Sequence, residues 1–251
     1  MLRELPTKEE RIVYSAASGR QQKLYTASAL KLKEALAGGA WSGNGKLEVL
    51  SQLMRLRQIC CDPALCFEDY TGESAKLETC VSLIASASAA GHKILLFSQF
   101  ASMLERIRER LLQEGISSHL LVGATLKEER SRMVQAFASD EVPVFLISLK
   151  AGGTGLNLTA ADIVIHYDPW WNVAAQNQAT DRAYRIGQEK PVTVYKLILK
   201  DTIEENLLKL QNAKLALAAQ VVSEGMVSLG DLSQNELMEL FEQIHKKSLQ
   251  K

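Results

Sequence analysis

The spacing of the hydrophobic positions along this chain changes near residue 74. Before it, residues 20–37 and 46–60 carry apolar side chains at helical spacing, and a glycine-rich stretch separates the two segments. After it, short continuous apolar runs alternate with stretches of helical length. Continuous apolar runs are typical of strands that are buried on both faces of a parallel sheet. The pattern therefore predicts an α/β fold with a helical segment ahead of it.

The second part, roughly residues 74–200, is predicted to form a doubly wound, mostly parallel sheet with helices on both faces. The predicted strands are residues 93–98, 119–122, 142–149, 163–167 and 192–199. The predicted helices are residues 74–90, 100–114, 125–138, a segment that follows residue 172, and 202–223. Capping boxes at 125–128, 201–204 and 233–236 predict three helix starts, and residues 14–18 are a further strand candidate.

Composition limits the classes of function. The chain has 29 Lys and Arg and 29 Asp and Glu, so any contact with nucleic acid must come from local placement of cations and donors. No apolar run reaches about 18 residues and no signal peptide is evident, so we expect a cytosolic or nuclear protein. The four cysteines form no Cys-x-x-Cys pair and the histidines no His-x-x-x-His pair, so we expect buried free thiols and no metal site.

Four unusual loops follow four of the predicted strands. In parallel α/β sheets, ligands bind beyond the carboxyl ends of the strands. The loops contain Ser98-Gln99, Gly123–Thr125, residues 150–157 and residues 168–172. The third has three glycines that let the backbone approach an anion, together with Lys150. A glycine-rich turn is more often only a turn, and adjacent tryptophans more often belong to a core. The four loops together favour a ligand site.

The stretch 178–188 carries two arginines close together. On a helix, Gln178, Arg182 and Arg185 stand at i, i+4 and i+7 and share one face. A neighbouring face is predicted to pack on the sheet through Ala175, Ala179, Ala183 and Ile186. Paired guanidinium groups suit an anionic ligand such as a triphosphate. From these residues alone, a salt-bridged surface helix remains an equal alternative.

Three partial motifs do not hold. Residues 153–155 lack the third glycine of a dinucleotide fingerprint, and the next strand follows too soon for a crossover helix. Residues 45–46 lack the flanking residues of a P-loop. Asp140-Glu141 precedes a strand, whereas a magnesium-binding acidic pair follows one. The chain therefore has no P-loop and no such acidic pair.

These motifs, in this order, resemble the C-terminal RecA-like lobe of SWI/SNF-type DNA-dependent ATPases, within superfamily-two helicases. The matching segments are residues 56–65, 94–100, 123–137, 146–161, 167–172 and 178–188. The resemblance extends over about residues 5–210. It implies an inter-lobe linker and helical protrusion at residues 1–73, a C-terminal RecA-like helicase lobe at 74–225, and a C-terminal helix and tail at 226–251.

The resemblance also implies roles for individual residues. ATP lies between two lobes, and the N-terminal lobe supplies the P-loop and holds Mg²⁺. This lobe supplies Arg182 and Arg185 to the γ-phosphate as catalytic residues. The implied nucleotide contacts are Gly155, Asn157, Gln178 and Asp181. The implied contacts to DNA are Ser98, Gln99, Gly123, Thr125, Lys150, Ala151, Gly152 and Trp171.

The implied function is that of half of an ATP-dependent double-stranded-DNA translocase that remodels DNA–protein complexes. The chain alone is expected to be inactive. The expected partners are double-stranded DNA, the N-terminal RecA-like lobe and a DNA-bound protein such as RNA polymerase or the nucleosome, but no membrane. We expect it in the cytoplasm at the nucleoid if bacterial, or in the nucleus if eukaryotic. The competing hypothesis is a non-catalytic nucleic-acid or protein-binding module that retains the fold. Which complex is remodelled, and what the C-terminal tail does, stay open.

Overall fold

A computed structural model describes residues 5–17, 19–38, 44–149, 151 and 156–218. The chain divides into two compact units. The sheet unit comprises Met1–Val13, Leu77–Trp170 and Ala174–Leu197. The helical unit comprises Tyr14–Lys76, Trp171–Val173 and Ile198–Lys251. Three predicted site residues, Lys150, Gly152 and Gly155, and the predicted C-terminal helix and tail at 226–251 lie outside the described residues.

The described strands form one six-stranded sheet. They are β1 (Lys8–Ser15), β2 (Ile94–Ser98), β3 (Ser118–Leu121), β4 (Val144–Ser148), β5 (Ile163–His166) and β6 (Val192–Leu199). Their order in the sheet is β1-β6-β5-β2-β4-β3, and the strands run parallel. Every residue of β2, β4 and β5 is buried, as the continuous apolar runs predicted.

The register places the ends of four strands side by side. Ser98 pairs with Ser148, Phe97 pairs with His166, and Leu121 pairs with Ile147. Because these strands are parallel, the loops that follow β2, β3, β4 and β5 all leave from one edge of the sheet, which we call the carboxyl edge. The four loops predicted to carry chemistry therefore do follow adjacent strands.

Strand β1 corrects the prediction of a strand at residues 14–18. It begins six residues earlier and joins the sheet beside β6, since Val192 N–H donates to the Thr7 carbonyl over 2.9 Å. Nearly all of its side chains are exposed. An edge strand with two exposed faces has no apolar alternation, so its sequence carried no strand signal.

The described helices are α1 (Gly19–Ala37), α2 (Asn44–Cys61), α3 (Ala75–Ala89), α4 (Ala101–Gln113), α5 (Lys127–Ser139), α6 (Val173–Thr180) and α7 (Ile203–Ala218). The helices other than α6 lie close to their predicted positions. A 3-10 turn at Pro63–Leu65 follows α2, where the Asp62 carboxylate accepts a hydrogen bond from Ala64 N–H. None of the described helices is long and apolar enough to cross a membrane.

The capping predictions had different outcomes. Helix α5 begins after Leu126, which makes no side-chain cap, so the predicted capping box is wrong. Thr125 lies one residue too early, and its hydroxyl instead accepts from Val122 N–H over 3.2 Å. Helix α7 does begin within the predicted segment 201–204, but its cap is Thr202, whose hydroxyl accepts from Glu204 N–H over 3.3 Å. The predicted cap Asp201 instead donates its N–H to the Glu205 carboxylate over 3.0 Å.

The helical unit has its own core, with buried polar connections inside it. Tyr25, Leu32, Leu53 and Ile203 are among the buried residues of this core. The Lys76 ammonium contacts both carboxylate oxygens of Glu204 at 2.5 Å, and both side chains are almost completely buried. Since Lys76 begins α3 and Glu204 begins α7, this ion pair connects two helix starts.

The cysteines are free thiols, as expected. Cys60, Cys61 and Cys80 are buried and Cys66 is partly exposed. Burial raises the pKa of the Cys60 thiol, so it stays protonated at neutral pH. Among the described residues, no group of three or more His, Cys, Asp and Glu side chains is arranged to hold a metal ion.

Candidate functional site

The loops after β2 and β5 are connected at the carboxyl edge by one buried carboxylate. Asp168 is 1% exposed and accepts from the Ser98 hydroxyl over 2.5 Å and from Gln99 N–H over 3.3 Å. Its second oxygen accepts from the Gln99 side-chain amide. The predicted site residues Ser98 and Gln99 are thus held in place by Asp168. No role was predicted for Asp168 itself, although it follows the buried strand β5 by two residues.

The loop after β3 forms a tight turn. Thr125 N–H donates to the Val122 carbonyl over 3.0 Å, and Gly123 within the turn is exposed. A side chain at Gly123 would meet open space, so the fold itself does not require glycine there. An exposed glycine that the fold does not require is compatible with close approach of a ligand to the backbone.

The loop after β4 is described only in part. Ala151 is buried in the core of the sheet unit, and its N–H donates to the Ser148 hydroxyl over 3.4 Å. Asn157 is exposed between two buried leucines, Leu156 and Leu158. The Leu158 N–H donates to the Arg182 carbonyl over 3.1 Å. The structure therefore brings Asn157 next to the arginine-bearing segment.

The arginine-bearing segment is not a helix, which corrects the prediction. Helix α6 ends at Thr180, and residues 181–188, which we call the arginine turn, continue as tight turns. Ala183 N–H donates to the Thr180 carbonyl over 3.1 Å, three residues back, rather than with helical spacing. The Arg182 carbonyl bonds to Leu158 instead of a later residue of its own segment, and Gly187 adopts φ 103°. Both features end a helix.

Because residues 181–188 are not helical, the two faces predicted for a helix in this segment do not form as predicted. Ala179 and Ala183 are buried, as the predicted stripe required, but Ile186 is 76% exposed and does not pack on the sheet. Arg182 is buried, whereas Gln178, Asp181 and Arg185 are exposed. These polar residues therefore surround the turn without sharing one helical face.

Arg182 has an unusual electrostatic environment. Arg182 is 6% exposed, and its Nε has no hydrogen-bond partner among the described residues. Burial and the nearby Arg185 guanidinium lower the pKa of Arg182. Within the described residues, no carboxylate forms an ion pair with it. A buried cation is costly unless it is paired, so an anion bound at this position would be stabilising.

The two tryptophans lie against protein rather than in open solvent. Trp170 packs on the core of the sheet unit, 6.4 Å from the ring of His166. Burial lowers the pKa of His166 to about 3, so the ring is neutral, and its Nε2 bonds to the Thr180 hydroxyl over 2.9 Å. Trp171 packs on the core of the helical unit, where the Arg57 guanidinium stands 5.6 Å from its ring centroid.

Comparisons with known proteins agree on one family. The family model described as the helicase conserved C-terminal domain matches residues 75–187. The Sulfolobus solfataricus SWI2/SNF2 ATPase C-terminal domain is 30% identical and has a TM-score of 0.73, with 94% of this chain and 98% of that chain covered. The ATPase core of the same organism, in complex with dsDNA, is 34% identical with a TM-score of 0.79, and 50% of that chain is covered.

A Mycoplasma genitalium protein named as an uncharacterised ATP-dependent helicase, MG018, is 39% identical over 251 residues. The match covers 96% of this chain but only 23% of that protein. The chain therefore spans about a quarter of the length of this curated relative.

Proposed function

Since this chain belongs to the SWI2/SNF2 ATPase family, as a helicase C-terminal lobe of RecA-like fold, we propose that it is one half of an ATP-dependent translocase on double-stranded DNA. The motor acts by remodelling DNA–protein complexes. This half contributes arginine side chains to ATP hydrolysis and backbone contacts to one DNA strand. The other half contributes the phosphate-binding loop and the carboxylates that hold Mg²⁺, since residues 45–46 and Asp140-Glu141 complete neither motif in this sequence.

The observation that carries the proposal is that Arg182, beside Arg185, is buried and forms no ion pair with a carboxylate among the described residues. In the hydrolysis reaction, water adds to the γ-phosphorus while the bond to the bridging oxygen of ADP breaks, which gives ADP, inorganic phosphate and a proton. Negative charge on the γ-phosphoryl oxygens must be stabilised in the transition state, and arginines do this in related phosphoryl-transfer sites. Arg182 is pre-positioned by burial, and the exposed Arg185 can reach a phosphate presented from outside the lobe.

The loops at the carboxyl edge support the DNA role. Ser98 and Gln99 are fixed by Asp168, and the turn at Gly123–Thr125 leaves from the same edge. Backbone and hydroxyl contacts to phosphates hold DNA without selecting its sequence. A translocase needs contacts of this kind, because it must step along any sequence.

The proposal is tested by DNA-stimulated ATP hydrolysis in two proteins. One is this chain alone, and the other is a fusion of this chain to the half of the Sulfolobus ATPase core that it does not match. We expect no turnover from the chain alone and DNA-stimulated turnover from the fusion. The intact Sulfolobus core, assayed alongside, shows that the conditions support activity.

Arg185→Ala in the fusion separates catalysis from binding. Loss of an arginine finger costs on the order of a thousandfold or more in rate. We expect turnover to vanish while DNA affinity stays within a few-fold. Equal loss of turnover and DNA affinity would contradict the assigned role, and a fusion that binds DNA but shows no effect of ATP would favour the non-catalytic binding module. Turnover by the chain alone that vanishes in Arg185→Ala would show that a phosphate site lies within this half.

A further inference from the structure

Gln188 is a buried amide at the end of the arginine turn whose donors and acceptor are all used. It is 7% exposed. Its Nε2 shares its two hydrogens among the carbonyls of Thr159 at 3.0 Å, Ala161 at 2.8 Å and Ala183 at 3.1 Å. Its Oε1 accepts from the N–H groups of Glu189 at 3.0 Å and Lys190 at 2.9 Å.

These bonds connect two segments of the candidate site. Ala183 lies directly after Arg182 in the arginine turn, whereas Thr159 and Ala161 lie just beyond Asn157 in the loop that leads into β5. The Leu158 N–H bond to the Arg182 carbonyl joins the same two segments. Gln188 is thus the side chain that joins the carbonyl next to Arg182 to the loop that carries Asn157.

The turn has few other constraints on its outer side. Arg185, Ile186 and Gly187 are exposed, and Gly187 takes a backbone conformation that other residues rarely adopt. The arginine turn is outside α6, so it does not inherit the rigidity of a helix. Backbone bonds such as those from Ala183 N–H to the Thr180 carbonyl and from Gln188 N–H to the Arg185 carbonyl shape the turn itself. The Gln188 side chain adds bonds that hold the turn against the loop of Thr159 and Ala161.

We propose that Gln188 is a positioning residue for hydrolysis, which fixes the arginine turn against the loop of Asn157 so that Arg182 and Arg185 meet the γ-phosphate. This rests on the proposed function. A displacement of about 1 Å at a catalytic group costs roughly a hundredfold in rate. Loss of the Gln188 bonds should thus lower the catalytic rate without removing any group that contacts the nucleotide or DNA.

Two substitutions of similar size distinguish the hydrogen bonds that Gln188 donates from those that it accepts. Gln188→Met keeps the length of the side chain but removes every hydrogen bond. Gln188→Glu keeps the acceptor for Glu189 and Lys190 but loses both donors, and it directs a carboxylate at three carbonyl oxygens. The matched control is Gln113→Met at an exposed glutamine at the end of α4.

In the fusion described above, we expect both Gln188 variants to lower kcat by about 10- to 100-fold. KM for ATP and the Kd for DNA should stay within about threefold, because the contacting groups remain. Gln113→Met should leave all three constants unchanged. A variant pair whose kcat stays within twofold of the parent overturns the proposal, and so does a KM that rises as much as kcat falls.

Hydrogen exchange on the chain alone provides a second readout that does not depend on activity. We expect the Leu158 amide to lose protection in both Gln188 variants, while the amides of β4 keep theirs. If the fusion shows no turnover but the Leu158 amide exchanges faster in the Gln188 variants, the proposed function fails. Gln188 is then still shown to hold the arginine turn against the loop of Asn157. Protection of Leu158 that is unchanged in both variants refutes the positioning role, whatever the activity.

Discussion

Two guanidinium groups three residues apart have opposite environments in this molecule. Arg182 is buried with an unpartnered Nε, whereas Arg185 is exposed. A buried donor without an acceptor costs about 1–3 kcal/mol relative to its solvated state. No group among the described residues offsets this cost at the Arg182 Nε, and an anion from outside the lobe would relieve it, as is typical of a residue kept for function.

Replacing Arg182 with methionine should therefore stabilise the chain. Arg182→Met fills a similar volume without a charge, so we expect the free energy of unfolding to rise by about 1 kcal/mol. Urea denaturation of the chain alone measures this. Arg185→Met is the control and should stay within about 0.5 kcal/mol of the parent, since that side chain is exposed. In the fusion, both variants should lose ATP turnover. A lower stability for Arg182→Met would mean that the guanidinium is satisfied inside the protein.

Asp168 offers the converse case of a buried charge that is well satisfied. Asp168→Asn replaces an acceptor with an N–H₂ group that faces the donors of Ser98 and Gln99. We expect a loss of about 2–3 kcal/mol in unfolding free energy and weaker DNA binding, because the loop after β2 loses its anchor. Denaturation and DNA titration measure the two effects. Asp69→Asn, at an exposed aspartate, should change neither. Wild-type stability in Asp168→Asn would show that the loop is held by other contacts.

These residue-scale features explain a limit of prediction from the sequence. Residue types and their spacing pointed to Ser98, Gln99 and the arginines. The partner Asp168 is separated from Ser98 by 70 residues of chain, and the Gln188 acceptors are main-chain carbonyls. Every residue has a carbonyl, so no sequence pattern marks the ones that a glutamine will find.

At the scale of elements, the buried pair Lys76 and Glu204 joins the starts of α3 and α7. Glu204 also accepts from Leu199 N–H at the end of β6 over 2.8 Å. Although burial acts to lower the pKa of Lys76, the Glu204 carboxylate raises it above the ordinary value. The charged pair therefore persists at neutral pH, and three elements depend on it.

Breaking this pair on one side should be costly. We expect Lys76→Met to lower the free energy of unfolding by about 3–5 kcal/mol, because it leaves the Glu204 carboxylate buried without a counter-charge. Adding Glu204→Leu to Lys76→Met should recover much of the loss, because the double variant buries no charge. Thermal or urea denaturation of the single and double variants measures both. A double variant that is as unstable as Lys76→Met would mean that losing the Leu199 bond to Glu204 costs as much as removing the buried charge recovers.

The same pair fixes a pH dependence. The pKa of Lys76 is raised on folding, so its contribution is fully present below the unfolded lysine pKa of about 10.4 and is lost as pH rises through the folded value. We expect the contribution of this ion pair to the free energy of unfolding to be constant near neutral pH and to fall only in strong base. Comparing parent and double variant between neutral and alkaline pH tests this. A stability difference between parent and double variant that already changes with pH around pH 7 contradicts it.

Strands and helices were predicted correctly where burial makes the sequence apolar in a recognisable pattern, and were missed where it does not. The runs of β2 and β4 are buried on both faces, so their sequences are almost wholly apolar. Strand β1 is exposed on both faces and has no such pattern. In the arginine turn, helical periodicity continues past Thr180, but the chain leaves the helix because the Arg182 carbonyl bonds to Leu158. That bond depends on the tertiary fold and cannot be read from local spacing.

At the scale of the whole molecule, the formal net charge of zero means that no long-range field draws this chain to DNA. Affinity must then come from individual phosphate contacts, and each contact releases counterions. The logarithm of the binding constant for B-form DNA should fall linearly with the logarithm of the salt concentration. The slope should be about −0.9 for each phosphate neutralised. A small slope would distinguish a few well-placed contacts from a broad basic surface.

Lys150 is the lysine that the family resemblance assigns to the phosphate backbone, in the loop after β4. We expect Lys150→Ala to weaken binding to random-sequence duplexes uniformly and to reduce the salt slope by about 0.9, because one phosphate contact is lost. Lys190→Ala is the matched control: Lys190 is exposed, and its ammonium lies 3.7 Å from Asp162, which precedes β5 and so stands at the opposite edge of the sheet. Fluorescence anisotropy at several salt concentrations measures both slopes. If Lys190→Ala lowers the slope as much as Lys150→Ala, binding is a general charge effect and the carboxyl edge does not hold the DNA.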